Sequence, residues 1–333
     1  MQKGLVSIIT PAYNTGGIIH RLMDSILQQD YPLVEMFVIN DGSTDDTESI
    51  IESYIPQFSN RGYKLTYRYQ NNSGQSVAIQ HGLRLVKGEY LIWPDSDDYY
   101  NDPQALSKLV RAFQENASAS VVRCYPRYVD EITLQEHYRV CDNEAHHKED
   151  LFLDSLMCSN GFFWGAGNYM LKMKDLDDAI PNRSIYTEKS IGQNWQLISP
   201  MLYERKCITI NEHLINILLR TDSHSRGQFV GFSKTLEKES LYEKTILETI
   251  DRIPQLTSQE KDYYFIIVRK KYAIDNMNFC IHCKNPQKAL YYAYNYNKLS
   301  PDKLDKYTVL MCKYCRVPII YTVLRILRKL FYK

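Results

Sequence analysis

The sequence predicts an α/β fold: a doubly wound, mostly parallel sheet flanked by helices and followed by an α-helical C-terminal region. Over residues 5–115, short apolar runs alternate with helical patterns across brief connections, as expected of parallel strands joined by crossover helices. From about Lys234 onward the apolar spacing is helical throughout. The polar clusters of the N-terminal half fall at the C-terminal ends of the expected strands, where open parallel sheets bind ligands.

Residues 5–13 read as a buried parallel strand that ends at Pro11. Thr15, Gly16 and Gly17 open an amphipathic helix with Ile18, Ile19, Leu22, Ile26 and Leu27 on one face. Residues 34–40 form a second strand running into Asp41-Gly42-Ser43-Thr44-Asp45-Asp46. Ser43 or Thr44 is expected to cap the next helix, and Asp45 and Asp46 suit its positive N-terminus. Residues 64–70 alternate as a third strand. Gly74 starts a helix carrying Val77, Ile79, Leu83, Leu85 and Val86, which Gly88 stops. Residues 89–95 are the fourth strand, and Asp102-Pro103 opens a further helix with proline near its first turn.

The fourth strand delivers Trp93-Pro94-Asp95-Ser96-Asp97-Asp98. Three carboxylates at one strand end repel one another and raise each other's pKa unless a positive charge sits between them. Magnesium or manganese answers this, since both take oxygen ligands and bridge carboxylates to phosphates. Taken alone, the same residues also fit an Asp-rich turn.

Composition bounds the partners. A net charge of +1 on 333 residues gives no global field to draw nucleic acid. The first apolar run is too short for a secretory segment, and no predominantly apolar run of about 18 residues offers a spanning helix. Eight cysteines without a leader fit a reducing cytoplasm.

Residues 120–126 read as a fifth strand and 127–140 as a hairpin; residues 148–158 have helical spacing. Residues 160–170 interleave glycines with aromatics. Glycine lets backbone approach a ligand and aromatic faces stack on sugar rings, which points to Trp164 and Gly165; a bend with Phe162 and Phe163 in the core is the other reading. Residues 207–219 form a strand leading into Arg220-Thr221-Asp222-Ser223-His224.

Four clusters together resemble the family-2 glycosyltransferases of the GT-A fold, of bacterial surface-polysaccharide type. They are Pro11-Ala12-Tyr13-Asn14, Asn40 to Thr47, Asn71-Asn72-Ser73-Gly74 with Gly82 eight residues on, and Asp95-Ser96-Asp97-Asp98. The resemblance covers roughly residues 4–225. It implies a nucleotide-sugar half at about 1–100 and an acceptor half at about 101–230 in one catalytic domain, with residues 231–333 as a separate helical region. It implies that Pro11, Tyr13, Asn14, Asp41, Ser43, Asn71 and Gly74 line the nucleotide. Asp41 also has the chemistry to accept from a base or ribose, with a helix-capping turn as its other reading. Asp97 would be the direct metal ligand, as part of the Asp-x-Asp motif, with Asp95 near the ribose and metal and Asp98 close to the donor sugar. A Mn2+ or Mg2+ ion would stabilise the diphosphate leaving group. His224 would be a third ligand or a plain surface histidine.

The family's Gly-Glu-Asp, which carries its general base, reads Gly192-Gln193-Asn194 here, followed by Trp195. Amides cannot take the acceptor's proton. Three readings stand: Glu188 supplies the base; Gln193 and Asn194 orient the acceptor while solvent or a donor phosphate takes the proton; or the protein binds nucleotide sugar without transferring it. The function expected is metal-dependent, inverting transfer from a nucleotide-diphosphate sugar, UDP-linked by preference, to a hydroxyl of a glycan or lipid-linked acceptor. A nucleotidyltransferase would want a glycine- and lysine-rich phosphate loop, and none follows the first strand.

In the C-terminal third, Cys280 to Cys283 and Cys312 to Cys315 form two Cys-x-x-Cys pairs, read either as zinc ligands or as small core residues. Residues 316–333 place Ile319, Ile320, Val323, Leu324, Leu327, Leu330 and Phe331 on one face and Arg325, Arg328, Lys329 and Lys333 on the other. Residues 311–333 hold six basic side chains and no acid. Such a helix suits an anionic membrane surface, which would place the protein peripherally on the inner face of the cell membrane. Packing on its own domain, or on a twin subunit in a homodimer, is the other reading.

Overall fold

The computed structural model describes residues 1–148, 150–220 and 229–331. The chain divides into two compact units, Met1–Ser223 with Arg252–Gln255, and His224–Asp251 with Leu256–Lys333.

The first unit is built on one sheet. Strands β1 (Gln2–Ala12), β2 (Val34–Asn40), β3 (Lys64–Tyr69) and β4 (Gly88–Ile92) pair in parallel in the order β3-β2-β1-β4. Ala12 pairs with Asn40 and Asn40 with Tyr69, so three C-terminal tips open side by side. Helices α1 (His20–Leu27), α2 (Thr47–Arg61) and α3 (Gln75–Leu83) make the crossovers. β1 and β2 are buried on both faces, which is why they read as continuous apolar runs rather than alternating ones.

Beyond β4 the sheet is mixed. After β5 (Tyr99–Tyr100) and α4 (Ala105–Glu115) come β6 (Ala119–Asp130), β7 (Glu136–Arg139), β8 (Tyr169–Lys172) and β9 (Lys206–Leu219). β8 runs antiparallel between β4 and β6, β9 lies parallel to β6, and β5 pairs antiparallel with β9. β6 and β7 form the expected hairpin. The 148–158 segment contributes only a short helix, α5 (Phe152–Met157). Helices α6 (Met173–Ala179) and α7 (Asn194–Ile198) complete the unit.

Three local expectations are corrected. Residues 15–19 form a turn before α1, closed by bonds from Ile18 and Ile19 to the Thr15 carbonyl. Neither Ser43 nor Thr44 caps α2, which starts later, at Thr47; both instead hydrogen-bond to Asn14. α3 ends at Leu83, and Gly88 is the first residue of β4 rather than a helix stop. Gly88 is needed because a Cβ there would lie 2.5 Å from the Leu5 carbonyl oxygen of β1.

The second unit contains α8 (Phe232–Arg252, whose last residue falls with the first unit), α9 (Ser258–His282), α10 (Pro286–Leu299), α11 (Lys306–Tyr314) and α12 (Pro318–Phe331). α9 starts on a capping box of Thr257 and Glu260, and Asn285 and Asp305 cap α10 and α11. Cys280, Cys312 and Cys315 pack with Leu236, Met277 and Ala289 in its core, while Cys283 is exposed. Burial pushes the Cys280 thiol up to about 11 and the Cys312 thiol up to about 12, so both are neutral core side chains.

α3 crosses β1 at Gly82, where a Cβ would lie 2.4 Å from the Ile9 side chain. Gly82→Ala is therefore expected to overpack this contact and lower Tm by roughly 2–8 °C in a thermal melt. An unchanged Tm would contradict the close approach.

Candidate functional site

The site begins at the end of β2. Asp41 is buried, and its carboxylate accepts from Gln70 Nε2, Ser73 N and Gly74 N, each at 2.8 Å. Asp41 thus fixes the 70–74 loop and satisfies the N–H of Gly74, the residue that caps α3. Three protein donors already occupy a carboxylate that also had the chemistry to bind a nucleotide. Asn14 staples the β1 tip to the β2 tip, its N–H donating to Ser43 Oγ at 2.9 Å and its side-chain oxygen accepting from Thr44 N at 2.8 Å. Pro11 is buried within β1, whereas Tyr13 is 50% exposed beside it and Asn71 is exposed on the 70–74 loop.

Gly74 connects this corner to the 186–194 loop. Its φ of +98° lies in the region open to glycine, and a Cβ there would sit 2.4 Å from the Lys189 carbonyl oxygen. Ser76, in the first turn of α3, holds the same loop through the Glu188 backbone, accepting from its N–H and donating to its carbonyl, each at 2.9 Å.

The acidic tip lies against both. Asp95 accepts from Gln75 Nε2 at 2.6 Å and also from the Gln193 side chain. Burial, and then the neighbouring Asp97, push the Asp95 carboxyl up to about 7. Asp98 is buried and accepts from Leu218 N at 3.2 Å; burial first, then Asp97 and Asp95, hold it well above the carboxylate range. Asp97 pairs with Arg220 at 3.4 Å, and the same guanidinium lies 3.6 Å from Glu131. Asn194 Oδ1 accepts from Trp93 Nε1 at 3.2 Å, so the two amides in the family's acidic positions are tied to the strand end that carries the carboxylates. The Glu188 carboxylate instead accepts from its own loop, from Lys189 N at 3.1 Å and Tyr186 Oη at 3.4 Å.

The Trp164 and Trp195 rings pack at 5.3 Å and 60°. Gly165 sits where a Cβ would strike Asn168 Oδ1 at 2.1 Å, and Gly167 fits between Ile215 of β9 and Pro94. Phe162 and Phe163 are buried, with Phe163 under the guanidinium of fully buried Arg123 at 4.3 Å, as the core reading expected. Expected ligand His224 lies outside the described residues. Among the described residues, no three His, Cys, Asp or Glu side chains converge as a preformed metal cage.

A family model described as glycosyl transferase family 2 matches residues 7–180, more than half of the chain. The chain belongs to glycosyl transferase family 2. An uncharacterized glycosyltransferase of Rickettsia typhi is 43% identical over 96 residues, which are 29% of this chain and 28% of that protein. The chain thus spans well under two thirds of that relative's length. Residues 1–349 of TarS from S. aureus, solved in complex with UDP-GlcNAc, superpose with a TM-score of 0.65 over 99% of this chain and 93% of that one, at 19% identity. Mannosyltransferase PcManGT from Pyrobaculum calidifontis, in complex with GDP-Man and Mn2+, gives a TM-score of 0.52 over 100% and 89%, at 15% identity. At these identities the likeness is one of fold, and the fold is GT-A.

In this member of the family several site contacts leave no signal in the motifs. Gln70 and Gln75 flank the Asn71–Gly74 cluster, and nothing in their spacing marks them as donors to Asp41 and Asp95. Arg220 was readable only as part of a basic, hydroxyl-rich stretch; its pairing with Asp97 spans 123 residues of sequence.

The raised Asp95 pKa has a consequence for stability. A carboxyl at about 7 in the folded chain, against an ordinary 3.8, withdraws stability as pH climbs from about 4, and the loss is complete above 7. In chelator-treated protein, Asp95→Asn is expected to raise Tm by roughly 8–16 °C at pH 8 and leave it unchanged at pH 4. An equal effect at both pH values would contradict the shift.

Proposed function

We propose that the chain transfers a sugar from a nucleotide-diphosphate donor, UDP-linked by preference, to a hydroxyl of a glycan or lipid-linked acceptor, with inversion and with a divalent cation. The observation that carries this reading is the convergence of the Asp41 corner, the Asp95–Asp98 tip and the Gln193-Asn194 loop at one end of the sheet. Family membership supports transfer, and the neighbours bound to UDP-GlcNAc and GDP-Man support a nucleotide-sugar donor.

A cation suits the donor set. Asp95 and Asp98 have pKa values raised by burial and mutual repulsion, and Asp97 already holds a guanidinium as counter-charge. Asp97 and Asp95 would hold Mn2+ or Mg2+, which supplies Lewis-acid stabilisation of the diphosphate leaving group. Asp98 would face the donor sugar. Pro11, Tyr13, Asn14, Ser43 and Asn71 would line the base and ribose around Asp41, whose carboxylate shapes the pocket as well as binding in it. Trp164, Gly165 and Trp195 would form the acceptor platform, on the strength of the paired indoles. Arg220 would turn from Asp97 toward the donor diphosphate.

Gln193 and Asn194 position rather than deprotonate. Gln193 is 1% exposed, and its Oε1 has no hydrogen-bond partner among the described residues, so it is a buried acceptor available to a substrate hydroxyl. The acceptor proton would leave to a donor phosphate oxygen or to solvent. The Gln193-Asn194 pair is also what favours a second reading, a nucleotide-sugar-binding protein without transfer.

Turnover of UDP-sugars with manganese separates the two. Release of UDP is expected, faster with acceptor, with Asp97→Asn lowering it on the order of a hundredfold and Glu188→Gln changing it less than about twofold. No UDP release with any donor of a nucleotide-sugar panel would favour the binding protein. Loss of turnover in Glu188→Gln would make Glu188 the base.

A further inference from the structure

Helix α12 leaves its apolar face uncovered. Ile319 is 79% exposed, Ile326 54%, Leu330 69% and Phe331 67%, and Ile320 and Val323 are exposed with them. At 100° per residue these side chains and half-buried Leu327 form one continuous arc along a helix of about 21 Å. Leu324, at the margin of the arc, is the only one of its residues that is buried. The helix is held to its unit mainly beyond that margin: Tyr321 packs on the cysteine-lined core, and Arg328 Nε donates to Asp305 Oδ2 at 3.0 Å, while at the end of the arc Phe331 stacks on Tyr307 with ring centroids 6.1 Å apart. Apart from Phe331 at its end, the apolar arc is therefore not the packing surface, contrary to what burial of an amphipathic helix on its own domain requires.

The charge carried by the helix itself has one sign. After Asp305 the sequence contains no Asp or Glu, while Lys306, Lys313, Arg316, Arg325, Arg328 and Lys329 follow. Arg325 and Lys329 are exposed on the side opposite the arc. No helix among the described residues is long and apolar enough to cross a membrane, so an apolar face this short serves a surface rather than a span.

We propose that α12 lies in the plane of an anionic lipid surface, its apolar arc in the acyl boundary and its basic side chains at the phosphates. Charge complementarity selects this occupant over a second copy of the chain. A two-fold contact through the apolar arc would cover it but leave Arg325 and Lys329, on the opposite side of a helix that carries no acid, without counter-charge. Lipid phosphates supply the missing counter-charge.

The 333-residue chain should sediment with phosphatidylcholine vesicles that are about three parts in ten phosphatidylglycerol. Retention should be at least about tenfold weaker on pure phosphatidylcholine or in high salt. Ile319→Glu with Ile326→Glu, both at exposed positions, should abolish retention with an unchanged circular dichroism melt. Arg325→Gln with Lys329→Gln should remove the anionic preference while the melt again stays fixed. Equal retention on neutral vesicles would overturn the proposal. So would absence of retention, with or without a concentration-dependent dimer in light scattering that the Glu substitutions dissolve. Vesicle binding is read without donor or metal, so it stands or falls separately from transfer.

Discussion

The structure turns on the crowding of Asp95, Asp97 and Asp98 at the end of β4. Carboxylates placed this close are tolerable where protonation, hydrogen-bond donors or positive charge offset their repulsion, and the raised Asp95 and Asp98 show the first of these at work. The fold brings the donors and the positive charge from three directions: Gln75 from the first turn of α3, Gln193 from the loop before α7, and Arg220 from the end of β9. Each requires its own stretch of backbone to approach, which explains glycine at 74 and 167, where a Cβ would collide with Lys189 or with Ile215 and Pro94. The acidic tip is thus a cause of the surrounding architecture as much as a product of it.

Asp41 has a parallel role one strand away. Its two oxygens gather three donors from a single loop, so the β2 tip, the 70–74 loop and the start of α3 form one body. A loop positioned by a buried carboxylate presents its outer residues, Asn71 among them, in a fixed place. Such preorganisation lowers the ordering cost of binding a flexible ligand.

The N-terminal strands and helices are legible because continuous apolar runs mark the doubly buried β1 and β2 and helical spacing marks the crossovers, and β2 falls on its expected residues 34–40. The mixed half was less legible. β8 is only four residues long and inserts antiparallel between β4 and β6, a pairing that no local pattern encodes. Helix starts were misplaced where side chains took tertiary partners: Ser43 had the chemistry of a cap, but Asn14 of another strand tip engages it. The four motif clusters located the site, whereas Gln70, Gln75 and Arg220 act across the fold and left no periodic trace. The terminal helix was readable in its two faces. Which face the protein covers follows only from the packing of Tyr321 and Leu324.

In the proposed mechanism the acidic tip holds a cation against a nucleotide diphosphate seated at the Asp41 corner. Calorimetric titration with UDP in the presence and absence of manganese tests it most directly. The account predicts binding at least about tenfold tighter with manganese, and loss of that difference in Asp97→Ala. Nucleotide affinity indifferent to the metal, or no affinity under either condition, would contradict it.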